Sequence, residues 1–441
     1  MNEKPRRTGN SRRSLRKSSQ TELNVLKLIH ARSNISRVEL AKLSGMSTAA
    51  MSGTVHALVQ KKLIVEVERP STGLGRRRIA LNIRPDLAYV LGVDIGTYNL
   101  RVLIADINGK VVYSQRLKTE MAGGRQDVMN RTFAAIRSAI VESGLPPQEI
   151  RGIGMGHSGV IDVDKGLVLS FSRPGQMEQW KNVPLQKMVE DELGIPCLLE
   201  DSARAIAFAE KRFGAGEDLK DFLYIDIGMG IGAAIFIGGL LYRGSNGSAG
   251  EVGHITVEEN GPLCFCGNRG CLEALASCAA VIGNVKSAIH MGVGTEISEM
   301  ANGDSDRISV EMIAESAAKN DSLGYRTLAN AATCIGVAAA DLVNLLNPSA
   351  VILGGGLFRA APEFFLDHMK RSIRQRALEK SANDVRLLGS KLGTEGGAIG
   401  ASLLIAEKLV PRLYEASSGG SSHQDEAGAA ANAPAYSGTA S

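Results

Sequence analysis

The chain contains one short pattern twice, an apolar run that ends in Asp-Ile-Gly. The first run covers residues 89–96 and the second covers residues 222–228. A short apolar run that stops at an acid and a glycine is typical of a buried strand followed by a tight turn. In both places another apolar stretch and another turn come next. The repeat therefore predicts a mixed α/β protein built from two related lobes with a cleft between them.

Composition supports an α/β protein and excludes several other classes. Of 441 residues, 50 are glycine and only 4% are aromatic, which favours many tight turns over an aromatic-rich β-sandwich. Hydrophobic residues at 44% and charged residues at 22% are ordinary for a globular chain, so collagen, coiled coil and wholly disordered classes are excluded. Residues 227–242 are apolar but short and rich in glycine, and no apolar core follows the basic N-terminus. We therefore expect no membrane segment and a cytoplasmic location.

The net charge of +4 conceals a strong asymmetry along the chain. Residues 1–84 contain 18 basic and 5 acidic side chains, a formal charge of +13, whereas the remaining residues contain 32 and 41, a formal charge of −9. A basic head on an acidic body predicts that the head binds a polyanion. A merely solvated basic segment is the alternative, and it fits residues 1–20 best.

The basic head has the pattern of a winged helix-turn-helix over residues 21–84. Residues 1–20 lack apolar periodicity and are expected to be a disordered basic arm. Ser36 and Glu39 have the spacing of a capping box at the start of a short helix. Gly45 breaks that helix, and Ser47 is a suitable N-cap for a third helix that runs to about Lys61. A short helix, a glycine turn and a second helix match the helix-turn-helix layout.

A β-hairpin with a basic tip follows the third helix. In a winged helix the third helix enters the major groove and the wing presses cations toward phosphates or the minor groove. Small residues at the start of the third helix permit a close approach to the duplex. A trihelical head could instead bind another protein, but the basic wing and arm favour double-stranded DNA. The candidate DNA-binding residues are Ser47, Thr48, Ala49, Ser52, Arg76, Arg77 and Arg78.

A cysteine cluster carries the strongest chemical signal in the body. Cys264, Cys266 and Cys271 lie within eight residues, and His254 precedes them by ten. Three thiolates and one imidazole can complete a tetrahedral zinc site, and four protein ligands leave no open position. The pattern therefore predicts a structural zinc ion, the alternative being buried free cysteines that lie close together by chance.

These motifs together resemble the ROK family of repressors and sugar kinases. The resemblance rests on Asp226-Ile-Gly-Met-Gly-Ile-Gly, Glu251-Val-Gly-His254, the cysteine cluster with Glu273, and later glycine motifs at residues 351–357 and 396–400. It implies a two-lobed actin-like, ribonuclease-H-like fold, and usually a homodimer or homotetramer. The head resembles the winged helix of the family's regulators. The boundaries expected are residues 85–205 for the N-terminal lobe, 206–414 for the C-terminal lobe with the zinc site, and 415–441 for a disordered tail.

The resemblance also implies where a small molecule binds. In the family's kinases an Asn-Asp pair binds the sugar, and the Asp is the catalytic base. Here the pair is Glu200-Asp201, so Asp201 matches the base and Glu replaces the Asn. A sugar or sugar-derivative effector is accordingly expected to contact Glu200, Asp201, Glu251, His254 and Glu273.

Two departures from the kinase motifs argue against an enzyme. The kinases' first phosphate motif reads Asp-x-Gly-Gly-Thr, whereas Thr97 and Tyr98 stand at its last two positions here. In the second motif Met229 replaces a Thr. Phosphoryl transfer depends on positioning and charge stabilisation, so the loss of donors in both loops predicts poor use of ATP. The sequence therefore predicts a sugar-responsive transcriptional regulator, most simply a repressor. The alternatives are an active sugar kinase with an accessory head, and a regulator that responds to a partner protein.

Overall fold

The structure is a computed structural model, and it describes residues 9–32, 34–68, 79–171 and 178–418. Two compact units account for the chain. One unit is the head, residues 1–84 together with residues 408–441, and the other is the body, Pro85–Glu407. The head therefore draws on both ends of the chain, whereas the sequence places only residues 21–84 in it.

The head is a small helical domain with a two-stranded antiparallel sheet. Ile64 pairs with Ile83 and Glu68 with Ile79 in that sheet. The mixed α/β class with a winged-helix N-terminal domain, which the sequence predicts, is confirmed. Its elements are α1 (Gly9–Ala31), α2 (Arg37–Ser44), α3 (Thr48–Gln60), β1 (Ile64–Glu68) and β2 (Ile79–Ile83).

Local sequence signals fix the helix-turn-helix. The Ser36 side chain accepts a hydrogen bond from the Glu39 backbone N–H, and the Glu39 carboxylate accepts one from the Ser36 N–H, so the expected capping box is present. Gly45 ends α2 with φ of 67°, a left-handed conformation that glycine adopts without a steric penalty. Ser47 caps α3 by accepting from the Ala50 N–H.

Helix α1 differs from the expectation of a disordered arm over residues 1–20, because it begins at Gly9. No proline interrupts the sequence between Gly9 and Ala31, so a helix nucleated by the apolar residues after Thr21 can extend toward the N-terminus. At the other end of the chain, the last helix, α15 (Gly396–Ser418), extends past the start of the expected tail at residue 415.

The first lobe of the body is built on a five-stranded sheet in the order β5-β4-β3-β6-β9. Helices α4 and α5 cover one face, and a short β7–β8 hairpin lies beside the sheet. The elements are β3 (Tyr89–Ile95), β4 (Asn99–Asp106), β5 (Val111–Lys118), α4 (Gly124–Glu142), β6 (Ile150–His157), β7 (Val160–Asp162), β8 (Leu167–Ser170), α5 (Leu185–Leu193), β9 (Cys197–Asp201) and α6 (Ser202–Phe213).

The second lobe is built on another five-stranded sheet in the order β12-β11-β10-β13-β14. Helix α11 crosses the largest apolar core of the body. The elements are β10 (Phe222–Ile227), β11 (Ile231–Ile237), β12 (Leu240–Tyr242), α7 (Leu272–Ala276), α8 (Cys278–His290), α9 (Glu296–Met300), α10 (Val310–Ala318), α11 (Ser322–Leu346), β13 (Ala350–Gly354), α12 (Gly356–Ala360), α13 (Pro362–Arg376), α14 (Glu379–Asp384) and β14 (Arg386–Gly389). Helix α15 (Gly396–Ser418) follows them and packs on the sheet of the first lobe.

The two sheets repeat one topology, as the duplicated Asp-Ile-Gly pattern predicts. Strand β3 pairs antiparallel with β4 and parallel with β6. Strand β10 pairs antiparallel with β11 and parallel with β13. Each Asp-Ile-Gly motif therefore lies at the carboxyl end of an equivalent strand. Ligands of open α/β sheets bind beyond the carboxyl ends of the strands, so this arrangement locates the candidate site.

Glycines within the strands of the first lobe allow helix α15 to pass close to the sheet. A Cβ at Gly92 would lie 2.0 Å from the carbonyl oxygen of Ala398, and one at Gly154 would lie 1.8 Å from that of Ala401. Any side chain at these positions would push the helix away. The later glycine motif lies at the start of α15. A Cβ at Gly397 would lie 2.6 Å from the Asp94 carboxylate.

Helix α11 is the one helix, within the described residues, that is long and apolar enough to cross a membrane. In its most apolar window 56% of the residues are buried inside the body. Its apolar character is thus accounted for by packing in the core.

Candidate functional sites

A cleft of about 220 Å³ opens between the two lobes of the body. Both Asp-Ile-Gly turns line it, together with the glycine turn that begins α12. Four of the five residues expected to bind an effector line it as well, namely Asp201, Glu251, His254 and Glu273. The topology thus brings side chains from β9, the loop after β12 and the start of α7 into one polar cavity.

Asp201 ends β9 and begins α6. Its Oδ1 accepts a hydrogen bond from the Arg204 backbone N–H at 2.9 Å, which makes it the N-cap of α6. Burial raises the pKa of Asp201 to about 7, although the charge of Arg204 and the Arg204 N–H oppose the shift. A carboxyl with such a pKa changes its charge near neutrality, so it can accept from a ligand hydroxyl when ionised or donate when protonated.

Two more carboxylates and an imidazole surround the same space. Glu273 is fixed in place because its Oε2 accepts a hydrogen bond from the Ile231 backbone N–H at 2.9 Å. Burial raises the pKa of Glu251, and the nearby His254 and Arg204 oppose that shift. Three carboxyl groups and an imidazole offer several acceptors and a donor over a small area, a set that suits the vicinal hydroxyls of a sugar.

Glu200, the fifth expected effector residue, has a different environment. Its side chain is 1% exposed, and its Oε2 accepts from Arg243 Nη2 at 2.7 Å and from Arg243 Nε at 3.1 Å. Arg204 lies 3.5 Å from the other carboxylate oxygen. Glu200 belongs to the first sheet and Arg243 follows β12 of the second, so this ion pair joins the two lobes. Among the described residues, the lining of the cleft does not include Glu200.

The loops that match the kinases' phosphate motifs also line the cleft. The Tyr98 ring is 61% exposed there, beside Thr97. Asp94 is held inside the protein, where its two oxygens accept from Arg101 Nη1 at 3.1 Å and from the Ser202 hydroxyl at 2.8 Å. The Arg101 guanidinium thus lies next to the first loop, while Met229 presents a thioether in the second.

The His/Cys cluster has the geometry of a metal site. The ligand atoms of His254, Cys264, Cys266 and Cys271 all lie within 4.8 Å of one another. Cys266 Sγ and Cys271 Sγ are 3.7 Å apart, as are Cys264 Sγ and His254 Nδ1. Tetrahedral zinc with Zn–S bonds of about 2.3 Å would separate two sulfurs by about 3.8 Å. The residues therefore fit a four-coordinate metal ion.

Three residues near the cleft carry features that the sequence analysis does not single out. Arg101 pairs with Asp94 on the neighbouring strand, and Arg243 pairs with Glu200 on the other sheet, so each contact forms only once the chain has folded. His157 ends β6, is fully buried between Phe171 and Trp180, and accepts at Nδ1 from the Gly159 N–H. Burial lowers the pKa of His157 to about 3, so the ring is neutral. Its one sequence signal is its position directly before the Ser-Gly turn of the cleft.

In the head, the expected DNA-binding residues of α3 lie on its accessible side. Thr48 and Ala49 are exposed, and the half-buried Ser52 hydroxyl donates to the Thr48 carbonyl at 2.9 Å. Ser47 uses its oxygen as the N-cap of α3. Gly53 and His56 are exposed further along the helix and extend this surface. Arg76, Arg77 and Arg78 lie outside the described residues.

Comparisons with known proteins match both units. The profile of the ROK family matches residues 90–408, and that of the MarR family matches residues 19–71. A protein named putative xylose repressor, from Caldicellulosiruptor sp. strain Rt8B.4, is 29% identical over 390 residues, which cover 88% of this chain and 96% of that protein.

Two solved structures extend the comparison to the fold. One is described as a ROK family transcriptional regulator, a homologue of E. coli MLC protein. It superposes with a TM-score of 0.72 at 26% identity and covers 90% of this chain and 98% of that one. The other is a ROK family glucokinase from Streptomyces griseus in complex with glucose and AMPPNP. It superposes with a TM-score of 0.63 at 30% identity and covers 72% of this chain and 99% of that one.

Proposed function

Because the chain belongs to the ROK family, we propose that it is a sugar-responsive DNA-binding transcriptional repressor. One observation carries the proposal, namely that a winged helix-turn-helix and a lobed cleft lined by Asp201, Glu251, His254 and Glu273 occur in one chain. The putative xylose repressor and the regulator structure match almost all of the chain, whereas the glucokinase covers 72% of it. These matches support a regulator rather than a kinase.

The head binds an operator in double-stranded DNA in this proposal. Helix α3 enters the major groove through Thr48, Ala49 and Ser52, with the Ser47 backbone at its N-terminus near a phosphate. Arg76, Arg77 and Arg78 of the wing add sequence-independent contacts to phosphates. The regulator acts in the cytoplasm as a homodimer or homotetramer, because paired heads read two half-sites about one helical turn apart.

The cleft binds a sugar or sugar derivative, with Asp201 as the main acceptor. Asp201 matches the catalytic base of the family's kinases, but a carboxylate that binds a hydroxyl serves a sensor equally well. His254 directs Nδ1 toward Cys264, which leaves Nε2 as a donor for the ligand. Glu251 and Glu273 supply further acceptors.

We assign zinc to the His254, Cys264, Cys266 and Cys271 cluster as a structural ion. Bound there, the ion would supply a cross-link between loops and would fix the orientation of the His254 ring. The loop between Glu251 and Glu273 then presents both carboxylates at fixed positions. Four protein ligands leave no site on such an ion for a substrate.

A sugar kinase with an accessory head is the second candidate, and the structure of the glucokinase with glucose and AMPPNP favours testing it. Against it, Tyr98 stands in the first phosphate loop and Met229 in the second. The Arg101–Asp94 pair also occupies the carboxylate that precedes the first loop.

A single experiment distinguishes the candidates. The purified protein first selects duplexes from a random pool, and the affinity for a selected duplex is then measured with xylose, N-acetylglucosamine, glucose and their phosphates. ADP release is recorded in the same solutions with ATP present. A repressor shows sequence-selective binding that one of these sugars weakens, with no ADP release above the rate without sugar. Sugar-dependent ADP release at enzymatic rates would contradict the regulator, and a selected complex that no small molecule alters would favour a partner protein as the signal.

A further inference from the structure

The C-terminal segment of α15 belongs to the DNA-binding head. The body ends at Glu407, and the residues from Lys408 onward group with residues 1–84. In this segment Leu409, Val410 and Tyr414 are all buried. Residues more than 300 positions apart in sequence therefore build one small domain.

Tyr414 lies at the centre of a compact polar cluster in the head. Its hydroxyl donates to Glu22 Oε2 at 2.9 Å, and the Lys61 ammonium donates to the same oxygen at 2.6 Å. Lys61 Nζ also lies 3.3 Å from the Tyr414 hydroxyl and 4.7 Å from the centre of its ring. Glu22 is 9% exposed and Tyr414 is 4% exposed. The Lys61 side chain is 28% exposed, so the shielded part of the cluster is the Glu22–Tyr414 contact, which is sensitive to the loss of either partner.

The cluster joins three helices. Glu22 is in α1, Tyr414 is in α15, and Lys61 is the C-cap that directly follows α3. The N-terminal end of α3 is where the proposed DNA contacts lie. A helix of this length behaves as a rigid rod, so a displacement of its C-terminal end changes the direction in which Thr48 and Ala49 point.

We propose that Tyr414 is a positioning residue for DNA recognition, which sets the orientation of α3 through Lys61 and Glu22. The proposal rests on α3 being the helix that reads DNA. Residues 408–418 then act as a further helical element of the winged helix, supplied from the far end of the chain. Contacts with bases require α3 in one orientation, whereas contacts with phosphates can form in several orientations. Sequence-specific binding therefore depends on residues 408–418 more than non-specific binding does.

The same helix begins at the cleft of the body. Gly397, near the start of α15, lies close to the Asp94 carboxylate, and the helix continues to Ser418. Pro411 lies within this helix, close to the division between body and head. Proline lacks the N–H that would bond to the Glu407 carbonyl, so the helix is weakened at that point.

The test compares full-length Tyr414→Phe with Tyr325→Phe, a matched change at a half-exposed tyrosine of α11 in the body. Affinity is measured for a duplex selected by the wild type and for a random duplex of the same length. We expect Tyr414→Phe to weaken binding of the selected duplex about tenfold, the effect of one hydrogen bond to a charged group, with little change for the random duplex. Tyr325→Phe should change neither affinity.

Hydrogen exchange of the α3 amides, measured on the same proteins without DNA, separates orientation from unfolding. The proposal expects α3 to remain protected in Tyr414→Phe and to lose protection in Tyr414→Leu, which removes the ring as well. Two results would overturn the proposal. One is a ratio of selected to random duplex affinity that Tyr414→Phe leaves unchanged. The other is protection of the α3 amides that neither Tyr414→Phe nor Tyr414→Leu reduces. If the wild type selects no duplex, the proposed DNA function has failed, and the exchange data still decide whether Tyr414 supports α3.

Discussion

At the scale of single residues, the cleft owes its chemistry to carboxyl groups that the fold partly desolvates. Burial raises the pKa of Asp201 and of Glu251, and it also raises the pKa of Asp94 and Asp226 at the ends of the two central strands. Removing an ionised carboxylate from water costs free energy unless donors replace the water. A ligand with several hydroxyls supplies such donors, so a polyhydroxylated molecule is the natural occupant.

Asp201 predicts the pH dependence of effector binding. Its pKa in the folded protein is about 7, above the ordinary value of 3.8, so it is ionised above pH 7 and becomes protonated as the pH falls below 7. If the ligand hydroxyl donates to the ionised form, affinity falls about tenfold for each pH unit below 7. Titration of the protein between pH 5.5 and 8.5, with a sugar that stabilises it, measures this dependence.

Asp201→Asn is the control for that dependence. The amide keeps the shape but not the charge, so affinity at pH 8 should fall about ten- to a hundredfold and the slope below pH 7 should disappear. Binding of the selected duplex without sugar should be unchanged. A variant that keeps the slope would remove Asp201 from the sensing site.

Cys266 predicts the dependence of stability on metal. Cys266→Ser removes one thiolate of four, so we expect loss of bound zinc and a lower Tm, by roughly 5–10 °C for a body of this size. Cys334→Ser, a cysteine of α11 outside the cluster, should keep both the metal and the Tm. Metal analysis by mass spectrometry and thermal unfolding measure the two effects. Wild-type protein that contains no metal after purification without chelators would contradict the assignment.

At the scale of elements, features that depend on neighbouring residues can be predicted from the sequence. Contacts between residues far apart in the chain cannot. The capping box of α2, the N-cap of α3 and the paired lobes follow from neighbouring residues, whose preferences do not depend on the rest of the chain. The Glu200–Arg243 pair cannot be predicted in this way, because no residue near Glu200 or Arg243 indicates that the two sheets bring them together. The start of α1 at Gly9 does not follow from residues 9–20 themselves, since the extension of a helix depends on its stable part further along the chain.

The Glu200–Arg243 pair predicts how the lobes are held together. Arg243→Met leaves the buried Glu200 carboxylate with Arg204 at 3.5 Å as its remaining charged partner. We expect the free energy of unfolding of the body to fall by about 2 kcal/mol, less than for a fully buried pair because Arg243 is partly exposed. Glu200→Gln in the same chain should recover part of the loss, since no charge is then left buried.

Denaturant unfolding of the wild type, both single variants and the double variant measures the coupling. Lys165→Met, which removes a largely exposed partner of Asp162, is the matched control and should cost little. Additive effects of the two single changes would show that Arg243 does not stabilise Glu200.

At the scale of the whole molecule, charge and function are divided in the same way. Residues 1–84 of the head carry a formal charge of +13, which favours a polyanion as partner, whereas residues 85–441 carry −9 and include the polar cleft. In the proposed function the cleft lies in the body and α3 in the head, so a signal between them is a coupling free energy.

Coupling of this kind is reciprocal, which gives the last prediction. If a sugar weakens binding of the selected duplex by a given factor, the duplex must weaken binding of that sugar by the same factor, because both measure one free-energy difference between two states of the protein. Allosteric couplings are typically about 5- to 150-fold, a range that calorimetry resolves. Sugar affinity is measured with and without saturating selected duplex, and duplex affinity with and without saturating sugar. A random duplex, which α3 does not read, should shift the sugar affinity less than the selected one. Equal factors would show that the sugar and the duplex act on one coupled binding equilibrium of this protein. A sugar could instead lower the affinity for DNA while DNA leaves the affinity for the sugar unchanged. That result would show that the sugar acts through another process, such as aggregation or loss of metal.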